Sequence, residues 1–260
     1  MSTNSVNANW QAISNHLQYP LSLSFKKTNI VAQDHIAKLD ARQVEHTEIA
    51  EMYAKVLPFY QEFSKAYTRW LNEKSYYKGA TIKANDLQDE LMSVKYARWS
   101  GGIQWLFAKD SAEYATLLPD GSVPFQTGGK DFRIKAVETL SVRLQNYADL
   151  AHVQTDVQTF YELMKSARHR QQMHEQNTEN ASDLLHKAQQ DLIDELYYSL
   201  LTLLRLYYKD RTKVLAFWQI DLLRTKGSST NEDTTTEEDK ENEKEEVDVP
   251  AIDPDTKKEL

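Results

Sequence analysis

Two aspartate–histidine pairs come closest to a metal site in this sequence. They are Asp149 with His152 and Asp183 with His186. A spacing of three residues places both members of a pair on one face of a helix, and di-iron helical bundles use Glu-x-x-His in this way on two of their helices. No Glu-x-x-His occurs here, and the two pairs are expected at different levels of their helices. We therefore predict no metal site and no cofactor.

Motifs for nucleophiles and phosphate binding are also missing. The chain has no cysteine, which excludes a thiolate nucleophile, a disulfide and a cysteine-based zinc site. Gly-x-Ser-x-Gly does not occur, and no spacing of serine, histidine and aspartate suggests a triad. Gly128-Gly129-Lys130 precedes a predicted helix and could hold an anion, but it lacks the strand of a Walker motif. The sequence predicts a protein that is not an enzyme.

The net charge of −8 is unevenly distributed. Residues from Glu232 onward hold 13 of the 39 acidic and 4 of the 31 basic residues, a net charge of −9, so the rest carries +1. A body so close to neutral has no general attraction for nucleic acid. The basic segment 167–176 (ARHRQQMHEQ) contains no aromatic residue, and we interpret it as the polar end of a helix.

Aromatic side chains gather where the chain is predicted to turn for the first time. Trp70, Tyr76 and Tyr77 lie at or beside this turn. They either pack inside the fold or, if exposed together, form an interaction hot spot. We name all three as candidate interaction residues.

Residues 227–260 are strongly acidic and poor in apolar residues, which predicts a disordered tail. The tail either aids solubility or docks on a partner through a small apolar island near its end. The candidate docking residues are Val247, Val249, Pro250 and Ile252.

Long helices must position these residues, because 7 glycines and 6 prolines leave few interruptions. Apolar residues at alternating steps of three and four predict helices over about 34–73, 81–113 and 131–174, and a fourth that ends near residue 224. The run 191–224 has the widest apolar stripe and should be central. Gly101-Gly102 should mark a helix break or the close approach of another backbone.

The predicted fold is all-α, an elongated antiparallel helical bundle of two long helix–turn–helix hairpins with coiled-coil packing. Turns at 72–81 and 175–182 would reverse the chain within each hairpin. The predicted organisation is a lead-in over 1–33, a helical bundle over 34–226 and the tail over 227–260. Within the bundle, hairpins at 34–113 and 131–226 flank a docked connecting loop at 114–130.

These features favour a non-catalytic interaction protein, which would be a scaffold, an adaptor or a component of a larger assembly with a protein partner. We expect no nucleic-acid partner, and no membrane partner because no apolar run suffices to span a bilayer. No secretory signal is visible, so a cytoplasmic location is expected. A helical-bundle small-ligand binder or enzyme, a membrane-active helical protein and a homo-oligomer stay open as alternatives.

Overall fold

The structure is a computed structural model, and it describes residues 23–219. These residues form helices and connecting turns without any strand, which confirms the all-α fold. The helices are α1 (Phe25–Ala41), α2 (Thr47–Glu90), α3 (Tyr96–Leu106), α4 (Ala112–Leu117), α5 (Val123–Gln126), α6 (Lys130–Leu144), α7 (Ala151–Leu206) and α8 (Thr212–Leu215). A π-helical turn at Leu91–Lys95 joins α2 to α3, and a 3-10 turn at Ala148–Leu150 precedes α7.

Both predicted chain reversals are wrong, because α2 continues through 72–81 and α7 through 175–182. Gly79 lies inside α2, where one glycine costs only about 1 kcal/mol relative to alanine. Neither segment contains a proline, and the heptad spacing continues across the first from Trp70 to Tyr77 and Ala84. Two uninterrupted helices therefore replace the four that the sequence predicted.

These long helices form one antiparallel pair along their whole length. Ser199 Oγ lies 3.5 Å from Met52 Sδ. Gln171 Nε2 donates to Thr81 Oγ1 at 3.1 Å, and the Trp99 indole donates to Asp156 Oδ2 at 2.7 Å. Residue numbers on one helix fall as those on the other rise, so the two helices are antiparallel. The predicted antiparallel packing of long helices is therefore confirmed, but it involves one pair of helices.

Each end of the pair carries its own apolar core. The first core joins α1, the start of α2, the end of α7 and the turns beyond it, and Phe63, Ile193 and Phe217 are completely buried there. The second joins α3 to α6 and the start of α7 around Trp99, Leu140 and Phe160. Burial of one such side chain contributes about 1.5–3 kcal/mol. The cores therefore fix the two ends independently.

Three predicted boundaries need correction. The lead-in is already helical from Phe25, because Ser24 caps α1 by accepting a hydrogen bond from the Lys27 amide at 3.3 Å. The connecting segment 114–130 contains α4 and α5, and Leu117 and Phe125 are buried, so its predicted docking is confirmed. The central apolar run leaves the helix at Leu206, although Val214 and Phe217 beyond it are buried as the stripe requires.

Candidate interaction surface

Between the two cores, α2 and α7 meet mainly through small and polar side chains. We call this section the waist and define it as residues 67–84 of α2 and 167–182 of α7. The side chains buried in it are Ala84, Ala167, Gln171 and Ala181. Alanines allow close approach but remove little apolar area from water. The waist therefore receives less hydrophobic stabilisation than either end.

Polar contacts hold the register of the waist. Gln171 bridges the helices by donating to Thr81, and its Oε1 accepts from Arg168 Nη1 at 2.9 Å. His174 Nδ1 lies 3.4 Å from Glu73 Oε2. Arg168 also forms a two-pronged pair with the Asp131 carboxylate of α6 at 2.9 and 3.1 Å, and these hydrogen bonds hold the pKa of Asp131 below its usual range. Each such bond fixes the relative position of the two helices but contributes little to the net free energy of folding.

One side of the waist exposes an aromatic ring to solvent. Arg69, Tyr76 and Lys83 follow at seven-residue intervals and so share one face of α2. Tyr76 is 58% exposed, and its ring lies 5.6 Å from the ring of His174. The contact between these two rings shows that the exposed face of α2 lies next to the face of α7 that begins at His174.

The matching face of α7 carries apolar side chains in water. Met173 follows Arg170 by three residues, and Leu184 follows Met173 by three further helical turns, so the three share a face. Met173 is 42% exposed and Leu184 is 50% exposed. We call the combined face the outer surface. It comprises Arg69, Tyr76, Lys83, Arg170, Met173 and Leu184.

The waist is also the cationic part of a body that is otherwise near neutral. Residues 67–84 contain 4 basic residues and 1 acidic residue, whereas residues 167–182 contain 2 basic and 2 acidic residues. The acidic residue of the α2 section is Glu73, which His174 already contacts. Among the described residues, Arg69 and Lys83 form no ion pair. Two cations without an ion pair therefore lie on the face of α2 that exposes the Tyr76 ring.

The basic segment 167–176 is not the end of a helix, because it occupies the middle of α7. The sequence places no aromatic residue within it, but the fold brings Tyr76 against it from α2. This juxtaposition depends on the antiparallel register. Only the seven-residue spacing of Arg69, Tyr76 and Lys83 could have indicated it.

The predicted aromatic residues do not form one exposed cluster. Trp70 is half-buried, with its ring 5.5 Å from Phe25 of α1, and Tyr77 is also half-buried. Tyr76 alone of the three stands on the outer surface. The candidate docking residues of the tail, Val247, Val249, Pro250 and Ile252, lie outside the described residues.

A buried histidine forms an arrangement that resembles a catalytic dyad. His35 Nδ1 lies 2.9 Å from the Phe217 carbonyl oxygen, and Nε2 lies 2.9 Å from Ser199 Oγ. The carbonyl can only accept, so Nδ1 carries the proton and Nε2 accepts from the serine hydroxyl. Burial lowers the pKa of His35 to about 4, and its ring stacks on Trp218 at 3.9 Å. His35 and Ser199 are both completely buried, so this cluster ties three segments together without access for a substrate.

The two histidines of the aspartate–histidine pairs, expected on separate helices, lie far apart on one helix. His152 and His186 both belong to α7, about 51 Å apart along the helix axis at 1.5 Å per residue. His186 packs against Phe25, with ring centroids 4.8 Å apart. Within residues 23–219, no three histidine, aspartate or glutamate side chains gather as metal ligands would.

A cavity of about 210 Å³ lies between α6 and the segment that carries α4 and α5. Its volume is below the range of about 300–1,000 Å³ that is typical of ligand sites. The two cations that line it are engaged elsewhere, Lys135 with Glu138 at 2.6 Å and Arg143 with the Leu117 carbonyl at 3.2 Å. Neither cation is therefore free to bind a ligand there.

Comparison with known proteins finds no matching family model, no matching curated protein and no matching solved structure. None of the helices between residues 23 and 219 combines the length and the apolar character that crossing a membrane requires.

Proposed function

We propose that this protein is a non-catalytic, cytoplasmic interaction protein that binds a protein partner through the outer surface of its waist. The observation that carries the proposal is an inverted pattern in the waist. Polar Gln171 and His174 lie between the helices, whereas apolar Met173 and Leu184 face solvent. Apolar side chains that stand in water beside unpaired cations are typical of an interface.

The partner is expected to present acidic side chains around an apolar pocket. Arg69, Lys83 and Arg170 would pair with the acidic groups, while Tyr76 would fill the pocket. Charged groups at the rim of an interface raise the association rate more than the affinity. Binding should therefore weaken as the salt concentration rises. A scaffold, an adaptor and a component of a larger assembly all fit this chemistry.

The test is affinity purification of the tagged full-length protein from its own cells, read by mass spectrometry. The waist variant carries Tyr76→Asp and Arg170→Glu, which reverse the charge and remove the exposed ring. The matched control is Tyr208→Asp, because Tyr208 is an exposed tyrosine outside the waist. A recurrent partner should be recovered with the native chain and the control and lost with the waist variant.

A form lacking residues 227–260 completes the comparison. Loss of the partner in this form alone would assign docking to the tail and contradict the role of the outer surface. If no form of the protein recovers a recurrent partner, the proposal is contradicted. Ligand-induced changes in melting temperature and leakage of dye from liposomes would then test the small-ligand and membrane-active alternatives.

A further inference from the structure

The C-terminal part of α7 carries a second row of side chains, which faces away from the first core. Asp194, Tyr198, Leu201 and Arg205 follow at steps of four, three and four, and this spacing places them on one face of the helix. Leu196, two residues before Tyr198, is buried in the first core, so the row lies about 200° around the helix from it. We call these four residues the back seam.

The middle of the back seam is apolar and exposed. The Tyr198 side chain is 52% exposed, and that of Leu201 is 46% exposed. Lys55 Nζ of α2 lies 5.4 Å from the centre of the Tyr198 ring. Phe59 follows Lys55 by about one turn of α2 and is also exposed. Exposed apolar side chains therefore border the seam on α2 as well.

A charged residue stands at each end of the seam, and the two charges have opposite signs. Asp194 and Arg205 are both exposed. Asp194 accepts a hydrogen bond from Gln190 Nε2 at 2.8 Å, but neither Asp194 nor Arg205 forms an ion pair within residues 23–219. The seam therefore ends in one negative and one positive charge without ion pairs, about 17 Å apart along the helix axis.

We propose that the back seam packs against the back seam of a second copy of this chain and forms an antiparallel dimer. The twofold axis of this dimer lies at the level midway between Tyr198 and Leu201. Asp194 and Arg205 are equally far from the same level, on opposite sides of it. Tyr198 therefore packs on Leu201 of the second copy, and Asp194 pairs with Arg205 of the second copy. Because the interface is symmetric, each contact occurs twice.

The charges of the seam select an antiparallel arrangement. In a parallel pair, equivalent residues meet, so each Asp194 and each Arg205 would face a like charge. In the antiparallel pair, each faces the opposite charge. The flanking sequence agrees, because residues 186–197 contain 1 lysine and 3 acidic residues, whereas residues 202–213 contain 4 lysines and arginines and 1 acidic residue. Antiparallel packing therefore sets an acidic segment against a basic one.

This self-complementarity is the reason for assigning the seam to a second copy. In one direction it presents acid, ring, aliphatic chain and base, and the opposite direction presents the matching order. A few side chains per copy make an interface at the small end of the known range, so we expect a reversible dimer with a dissociation constant on the order of micromolar. The inference does not depend on the proposed function, because the seam begins ten residues beyond Leu184.

Sedimentation of the full-length chain over a series of concentrations tests the dimer directly. The native chain should pass from monomer to dimer as its concentration rises, and added salt should weaken the association because it screens the ion pairs. A native chain that stays monomeric up to about 100 μM would overturn the proposal.

Charge reversal locates the interface and its direction. Asp194→Arg sets two pairs of like charges face to face, so the dissociation constant should rise about tenfold or more, and Arg205→Asp should act in the same way. The double variant Asp194→Arg with Arg205→Asp restores opposite charges and should return the constant to within about threefold of the native value. The control is Asp86→Arg, at an exposed aspartate of α2 on the far side of the waist, which should change nothing.

The double variant keeps this test independent of folding, because a misfolded single variant would not be rescued by a second charge reversal. Loss in both single variants without recovery in the double variant would contradict the antiparallel pairing. A dimer that neither single variant weakens would place the interface elsewhere and overturn the proposal.

The absence of cysteine allows a second test of direction. One preparation carries Asp194→Cys and another carries Arg205→Cys, and each is treated with a short bismaleimide alone and after mixing. The mixture should give cross-linked dimers, because the two introduced thiols meet. Either preparation alone should give few, because identical thiols lie about 17 Å apart along the axis of an antiparallel pair. Equal yields in mixed and unmixed samples, or no cross-link in the mixture, would refute the antiparallel dimer.

Discussion

His35 should make the stability of this protein depend on pH between neutrality and pH 5. Its pKa falls from the ordinary 6.5 to about 4, mainly because burial disfavours the charged ring. The Phe217 carbonyl and Asp34 oppose this effect, and Lys38 adds to it. The unfolded chain therefore binds a proton between these values while the folded chain does not, so acid favours unfolding.

The magnitude follows from the two pKa values. A shift of 2.5 between 6.5 and about 4 corresponds to about 3.4 kcal/mol, which is fully present above the unfolded pKa and fully lost below the folded one. Between pH 7 and pH 5, the loss is about 1.8 kcal/mol. This is a large fraction of the stability of an ordinary domain.

Urea unfolding followed by circular dichroism measures this effect when the native chain is compared with His35→Gln. The glutamine amide can still donate to the Phe217 carbonyl and accept from Ser199, but it does not titrate. The native chain should lose about 1.8 kcal/mol more than the variant from pH 7 to pH 5.

The matched control is His152→Gln, which removes a histidine that is exposed on α7. Its pH dependence should follow that of the native chain, because the expected difference is specific to the buried ring. Parallel pH profiles of the native chain and His35→Gln would refute the assignment of a neutral, buried imidazole.

Three further predictions concern packing and local stability. Gly102→Ala should destabilise the fold by about 1–3 kcal/mol, since its Cβ would lie 2.9 Å from Val153 Cγ2. Gly101→Ala, with nothing within 4 Å of the new Cβ, should stabilise it by up to about 1 kcal/mol, and urea unfolding compares the two. Asp156→Ala should cost about 1–3 kcal/mol by the same assay, because it leaves the buried indole of Trp99 without its acceptor. Backbone amides of the waist should exchange with deuterium faster than those beside either core, and uniform protection along both long helices would contradict this.

Helix type and helix face were predictable from the sequence because both depend on local periodicity. The stripe from Ile49 to Trp70 packs on the first core, with its aliphatic residues and Phe63 buried and its tyrosines and Trp70 partly buried. Leu196 and Leu203 of the central run are buried as expected. In each case, a residue three or four positions away is enough to define the pattern. At Gly101-Gly102, the expectation of a helix break or a close backbone was wrong, because α3 continues through both glycines and the neighbour of Gly102 is the Val153 side chain.

Chain direction was not predictable in the same way. A glycine near several polar residues resembles a turn, but helix propensities differ by only about 1 kcal/mol per residue, and packing against a partner helix outweighs them. The partner of α2 lies far along the chain, because the hydrogen bond between Thr81 and Gln171 joins residues 90 positions apart. Sequence periodicity does not report contacts at such a separation.

The candidate surface depends on these distant contacts, which explains why its chemistry was missed. The Tyr76 ring lies beside the His174 ring only because α2 and α7 pack in the antiparallel register. The buried His35–Ser199 pair likewise joins helices that are distant in sequence. Residue types could therefore suggest Tyr76 as a candidate, but not its cationic surroundings.

The distribution of polar side chains shows that the waist is not arranged for maximal stability. Leucines at the positions of Gln171 and His174 would bury more apolar area and strengthen the pair. The helices instead bury amides and alanines there and keep Tyr76 and Met173 in water. Polar contacts between helices fix register at some cost in stability, while exposed apolar groups are favourable only once something covers them. Both features have a physical rationale under the proposed function, in which polar contacts hold the two helices in register and a partner covers the exposed apolar groups.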